Sequence, residues 1–407
     1  MGCLPAAGCA AFSPRLPLVL RFFLSLCLAA GLMGLMARAH PPGGGPDRAA
    51  SPRSYPLPPR LRSPEYGMHV FLWWTIDGKT ADFDTRLVDE MGFGWLKQKF
   101  AWRDIELAKG AFDWQRADWI VQMAEKYGLQ LIIRLDYQPQ WAQPDPAVWI
   151  DNGPPANVQD FADYCSAVAT RFAGRIAAYE VWNEPNLARE WGGQPPDPAG
   201  YVALLKACYL AVKAADPQAR VVSAGLAPTE DARPEVAMPD LQFFQAMYDA
   251  GAAPYFDTLG VHAPGYGNPP ERSPADTAAD PFWQSRVWTF RRVEDVRALM
   301  VANGDAAKQI AITEMGWTTD RVNPTYSWYA VTEQQQADYL VRAYQYARDH
   351  WKPWIGLMTT IYIVDPFWTE ADEQYWWSLT RPVPPGDPPH VLPAYEALKA
   401  MEKVSEP

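Results

Sequence analysis

Histidine is scarce in this chain, five among 407 residues, and the five have no spacing that gathers metal ligands. No Gly-rich phosphate loop follows a strand-like run, so neither a metal nor a cofactor is expected. Cysteine is equally sparse. Cys3, Cys9 and Cys27 fall in an N-terminal leader, leaving Cys165 and Cys208, and two cysteines make no disulfide framework and no metal site. Both lie in helical patterns and read as buried free thiols, with a disulfide as the alternative in an oxidising compartment. Positive charge is short too. Lys and Arg number 36 against 47 Asp and Glu, a formal charge of −11, and such a surface repels nucleic acid and anionic membranes.

The leader occupies residues 1–39. Arg15 and Arg21 precede or interrupt an apolar stretch from Leu16 to Met36, and Ala37-Arg38-Ala39 offers a small-residue cleavage site. That predicts a secretory signal peptide and a secreted protein; an uncleaved N-terminal membrane anchor is the alternative. Residues 40–65 are rich in Pro, Gly, Arg and Ser and read as an extended linker.

From residue 66 to 403 short apolar runs alternate with amphipathic stretches. Strands are expected at His69–Trp74, Trp95–Ala101, Gln130–Asp136, Ile176–Trp182, Arg220–Ala224, Thr258–His262, Gln309–Thr313 and Ile355–Val364. Helices are expected at Arg116–Tyr127, Val158–Phe172, Tyr201–Ala214, Asp240–Ala250, Val293–Val301, Glu333–Asp349 and Leu392–Met401. Eight strands alternating with helices predict an α/β fold, a single (β/α)8 TIM barrel, with no second domain and no internal repeat. Chemistry then belongs at the C-terminal ends of the strands.

Two glutamates stand there. Glu184, in Glu180-Val181-Trp182-Asn183-Glu184-Pro185, follows the fourth strand; Glu314, in Ile312-Thr313-Glu314-Met315-Gly316-Trp317, ends the seventh. A carboxylate directly after a buried-looking strand is costly unless it is used or paired. Two carboxyls of different pKa at one mouth are what glycosidic bond cleavage requires, one donating a proton while the other stays ionised.

Trp182-Asn183-Glu184-Pro185 and Thr313-Glu314-Met315-Gly316-Trp317 resemble the acid/base and nucleophile signatures of clan A glycoside hydrolases. Trp95 to Glu106 with Lys109-Gly110-Ala111-Phe112-Asp113-Trp114 resembles the second-strand region of family 39 and related bacterial cellulase-like and β-xylosidase-like enzymes. The resemblance runs from about Gly67 to about Lys403. It implies Glu184 as general acid and then base, Glu314 as nucleophile, and Asn183 as donor to the sugar 2-hydroxyl. Lys97 stands where many relatives carry an arginine reaching toward the nucleophile; Lys99, on the same strand face, is its rival. Relatives often have His-x-Tyr after the sixth strand, with the tyrosine bonded to the nucleophile, whereas here His262 and Tyr266 are four apart. His262 is a candidate either to touch substrate or to stand behind a group that does.

Asp136, Tyr137 and Trp141 follow the third strand and are expected at the same mouth. Nineteen tryptophans exceed what one barrel core needs, so some should stack on sugar faces; Trp73, Trp141, Trp317, Trp368 and Trp377 are the candidates. The expected activity is that of a secreted retaining β-glycosidase acting on a polysaccharide or oligosaccharide as a monomer, with an open groove for endo action. An exo-acting β-xylosidase-type enzyme and a non-catalytic polysaccharide-binding barrel are the alternatives. A neutral or basic saccharide suits the acidic surface.

Overall fold

The computed structural model describes residues 55–404 apart from 76. The expected signal peptide and most of the linker lie outside the described residues. Residues 55–64 run along the N-terminal end of the barrel as coil. There the Leu61 amide donates to Oε1 of Gln309 at 2.8 Å, and Nε2 of Gln309 donates back to the Leu61 carbonyl at 3.0 Å.

Eight parallel strands close into one barrel. They are β1 (Glu65–Val70), β2 (Trp95–Ala101), β3 (Gln130–Asp136), β4 (Ala178–Val181), β5 (Arg220–Ser223), β6 (Thr258–Pro264), β7 (Gln309–Gly316) and β8 (Ile355–Ile363). Around them lie α1 (Gly78–Glu90), α2 (Gln115–Lys126), α3 (Val158–Arg171), α4 (Pro198–Ala215), α5 (Asp240–Asp249), α6 (Arg292–Ala302), α7 (Glu333–His350) and α8 (Pro393–Ala400). This is the expected (β/α)8 architecture. The first strand is displaced, however: β1 begins four residues before the expected His69, and Phe71 to Trp74 form the turn above it. Aromatic side chains suit a strand, but Leu72 gives its amide to the Oε1 of Gln98 instead of to a ladder. Helix α1 was not anticipated; Asp77 caps it, accepting from the amides of Lys79 and Thr80.

The barrel interior changes character with height. Trp95, Ile132, Ala178, Val222, Ala311 and Leu357 form an apolar floor near the N-terminal ends. Side chains two residues apart share a strand face, so the next layer up carries Lys97, Arg134 and Glu180, all buried. Charge inside a barrel is tolerated only if paired; here Lys97 pairs with Glu180, and Arg134 with Asp136 and Glu314. Among the described residues no helix is long and apolar enough to cross a membrane.

Cys165 of α3 and Cys208 of α4 form a disulfide, with Cα atoms 5.5 Å apart. This corrects the expectation of two free thiols. Helical periodicity placed each cysteine on a buried face, but not the two faces against one another.

Candidate active site

Past β4 the backbone turns sharply, with φ of 76° at Trp182 and 40° at Glu184. Left-handed backbone is disfavoured for bulky residues and persists only where the surroundings hold it. Here Trp182 is buried and donates Nε1–H to the Glu190 carbonyl at 2.8 Å, and the Glu184 amide donates to the Gly225 carbonyl at 3.0 Å. The turn aims Glu184 at the barrel axis.

Glu314 comes from within β7. Registers of β6 and β7 slip between Val261 and His262, which sets His262 opposite Glu314. Nδ1 of His262 lies 2.9 Å from Oε1 of Glu184 and 4.0 Å from Oε2 of Glu314. One imidazole nitrogen thus addresses both carboxylates. Gly225 makes room for it: a Cβ there would collide with the His262 ring.

Four basic groups surround Glu314. Lys97 Nζ is 3.3 Å from its Oε1, Arg134 Nη1 is 3.5 Å and His69 Nδ1 is 3.7 Å, with His262 on the other oxygen. Burial raises the Glu314 pKa, but Lys97, His262, His69 and Arg134 overcome it and hold the carboxyl far below the usual range. It stays ionised. Tyr362 of β8 places its hydroxyl 3.5 Å from Oε2 of Glu314, and burial keeps that phenol protonated.

Glu184 differs. Burial pushes its pKa up, while the His262 contact and Arg189, 3.3 Å away, bring it below the ordinary glutamate value. His262 moves oppositely: burial lowers it, and Glu314 and Glu184 raise it above 6.5. The pair therefore stores one proton, held on the imidazole side.

The sequence-predicted residues separate into groups. Glu184, Glu314, Asn183, His262, Tyr137 and Trp368 line one cavity of about 430 Å3, a ligand-sized volume. Lys97 is fully buried beneath it, bound to Glu314 and, at 2.9 Å, to Glu180; Lys99 makes neither contact. Asp136 is also beneath, buried and held by Nε of Arg134 at 2.8 Å. Two expectations of sugar-stacking fail for a common reason. Trp73 and Trp317 are buried, Trp317 donating to the Asn268 carbonyl at 2.8 Å, so packing consumes their faces; Trp377 is also largely buried but lines the cavity. Trp141 lines a separate surface hollow beside Trp149. Tyr266 lines the cavity but gives its hydroxyl to the Pro228 carbonyl, so Tyr362 is the tyrosine beside Glu314.

Arg134, Glu180, His69, Glu190 and Tyr362 escaped the sequence reading. A signal for Arg134 existed: it stands two residues before Asp136 on a strand, hence on the same face.

Among the described residues no cluster of three or more histidine, cysteine, aspartate or glutamate side chains is arranged to hold a metal ion. Residues 62–248, which include Glu184 but not Glu314, match the family described as cellulase (glycosyl hydrolase family 5). No protein of curated function matches the sequence. Among solved structures, a family 39 glycoside hydrolase from the gut symbiont Bacteroides cellulosilyticus WH2 superposes with a TM-score of 0.60 at 21% identity, over 84% of this chain and 63% of that one. A GH5_18 protein from Streptomyces cattleya, in complex with GlcNAc, gives 0.58 at 16% identity over 83% and 79%. A GH10 endoxylanase from a sugarcane soil metagenome gives 0.54 at 14% identity over 84% and 97%. The chain spans less than two thirds of the first of these. In its matched segment, its barrel and its paired strand-end glutamates, the chain is similar to the clan A glycoside hydrolases, enzymes that act on O-glycosyl bonds.

Proposed function

We propose that this protein is a secreted retaining β-glycosidase that hydrolyses a polysaccharide or oligosaccharide through a glycosyl-enzyme intermediate. One observation carries the reading. The two carboxylates that reach a single imidazole nitrogen are held in opposite protonic circumstances, Glu314 ringed by cations and Glu184 coupled to a proton store.

An oxygen of Glu314 attacks the anomeric carbon as the bond to the leaving oxygen breaks, and Glu184 passes to that oxygen the proton it shares with His262. Water then gives a proton to Glu184 and its hydroxyl to the anomeric carbon, releasing the Glu314 carboxylate. The facing oxygens are separated by no more than their two distances to His262 laid end to end, which accommodates the retaining separation of roughly 5 to 5.5 Å. Asn183 accepts from Arg134 at 2.9 Å through its carbonyl oxygen, leaving its amide hydrogens for a sugar hydroxyl. The cystine supports an oxidising destination.

Anomer-resolved NMR of the first product tests the mechanism; an inverted product overturns it. Glu184→Ala should still cleave substrates with good leaving groups and yield a retained glycosyl azide with azide, whereas Glu314→Ala should lose nearly all turnover and yield the inverted azide. The opposite pairing would reverse the roles.

A further inference from the structure

Lys99 sits two residues above Lys97 on the inner face of β2, and its surroundings are different. Its ammonium lies 3.9 Å from the ring centre of Trp74 and 3.9 Å from that of Tyr137. The side chain is 4% exposed and lines the catalytic cavity with both rings. The two arginines of that cavity are each matched by protein acids, Arg134 by Asp136 and Glu314, Arg189 by Glu184 and Glu190. Lys99 has no hydrogen-bond acceptor and no ion-pair partner among the described residues.

An ammonium carries three donors. Two aromatic faces offset part of the cost of burying its charge, but they accept none of its hydrogens as an oxygen would. The charged groups facing it are Asp136 and Glu190, with Arg103 and Arg134. Neither acid makes an ion pair with Lys99: Asp136 is taken by Arg134 and Glu190 lies beside Arg189, while Arg103 pairs with Asp151. A buried cation without a counter-charge is poorly placed in an empty cavity and well placed in one that receives an anion.

We propose that Lys99, seated between Trp74 and Tyr137, is the anchor for a uronic-acid carboxylate on the sugar held in the catalytic cavity. This rests on the glycosidase reading above and names its substrate class. The two rings border the anchor with apolar faces suited to the C–H face of the sugar that carries the carboxylate. The formal charge of −11 disfavours acidic sugars at a distance, but exposed charges are screened beyond about 8 Å at physiological salt, and contact with Lys99 is made inside the cavity.

The test uses uronic-acid-containing β-linked oligosaccharides in three forms, free acid, methyl ester and carboxyl-reduced, alongside neutral β-linked polysaccharides and aryl β-glycosides. The full-length protein should show a kcat/KM for the free acid roughly tenfold or more above the other two forms, the size expected of one charge-assisted hydrogen bond. The ester separates charge from mere hydrogen-bond acceptance. Lys99→Met should collapse that ratio toward one, and Lys99→Arg should restore part of it. Thermal melting gives a second readout: Lys99→Met raises the Tm of the ligand-free protein if the cation is kept for a ligand, and lowers it if the aromatic sandwich is structural. Equal cleavage of the three forms, cleavage of neutral substrates only, or a lowered Tm overturns the anion site and leaves the glycosidase standing. Failure to cleave any of the substrates overturns the glycosidase reading itself.

Discussion

Nδ1 of His262 stands 2.9 Å from Oε1 of Glu184, closer than Arg189 at 3.3 Å, so the imidazole is the nearest charged partner of that carboxylate. The residue expected to donate a proton is therefore not its keeper in the resting protein. Acid catalysis needs the protonated pair, and turnover falls as pH rises through the pair's deprotonation, above the ordinary imidazole value because His262 is shifted upward.

Replacing His262 by Gln removes the imidazole store and leaves the proton to Glu184 alone. The alkaline limb of kcat/KM should then move to lower pH. A pH–rate profile with an unchanged limb would assign the proton elsewhere.

Lys97 links Glu180 and Glu314. Lys97→Met should leave Glu180 buried without its cation and cost about 3–5 kcal/mol of stability. It should also raise the Glu314 pKa, because burial is then opposed by fewer positive charges, so the acid limb of activity moves upward. Adding Glu180→Gln should recover stability but not turnover, as read by chemical denaturation and steady-state rates. Recovery of both would make Lys97 purely structural.

The bond between Cys165 and Cys208 closes a separation of 43 residues. Chain-entropy arguments give it about 4 kcal/mol. Native protein should titrate with no reactive thiol at either position, and the Cys165→Ser, Cys208→Ser double variant should melt well below wild type. Two free thiols by mass spectrometry would contradict the pairing.

Burial brings the Lys99 pKa down from 10.5 to about 7 in the folded protein. Between those values the unfolded chain holds a proton that the folded one lacks. Below about 7 both states are charged and folding carries the full cost of burying the ammonium; as pH rises from about 7 toward 10.5 that cost shrinks, because only the unfolded chain still binds the proton. Stability therefore rises with pH across that window and levels off above 10.5, where the lysine is neutral in both states. The Tm gain of Lys99→Met should accordingly be larger at about pH 6 than at about pH 9.5. Preference for an acidic sugar should weaken over the same rise.

Trp368 lines the cavity and packs edge-on against Phe71 and Tyr362. Trp368→Ala should mainly raise KM for long oligosaccharides. Equal losses on short and long substrates would place it at the reacting sugar instead.

What could be read in the sequence was whatever periodicity and strand-end position encode. Trp95–Ala101 and Gln130–Asp136 coincide with β2 and β3 to the residue, because continuous buried runs bounded by turns leave little freedom in register. Glu184 and Glu314 meet because a parallel barrel delivers all strand ends to one rim. Facts that depend on two distant segments were not legible. Arg134 and Glu180 look like solvent-facing charges in a linear chain, since Glu314 of β7 reaches the first and Lys97 of β2 the second from other strands. Trp317 and Trp368 are indistinguishable by type, and only three-dimensional packing turns one inward and leaves the other at the cavity. The tyrosine at Glu314 had an apparent candidate four residues after His262, but the one in place comes from β8.

The apolar floor beneath Lys97, Arg134 and Glu180 makes the barrel a vessel closed at the bottom. Among the described residues that floor leaves the mouth above as the open approach to the charged layer. A substrate seated in the mouth acts as a stopper, sealing the chamber in which it reacts and sharpening every charge inside it. A ligand too short to cover the opening leaves the vessel uncorked, and its bond breaks in a wetter, weaker field.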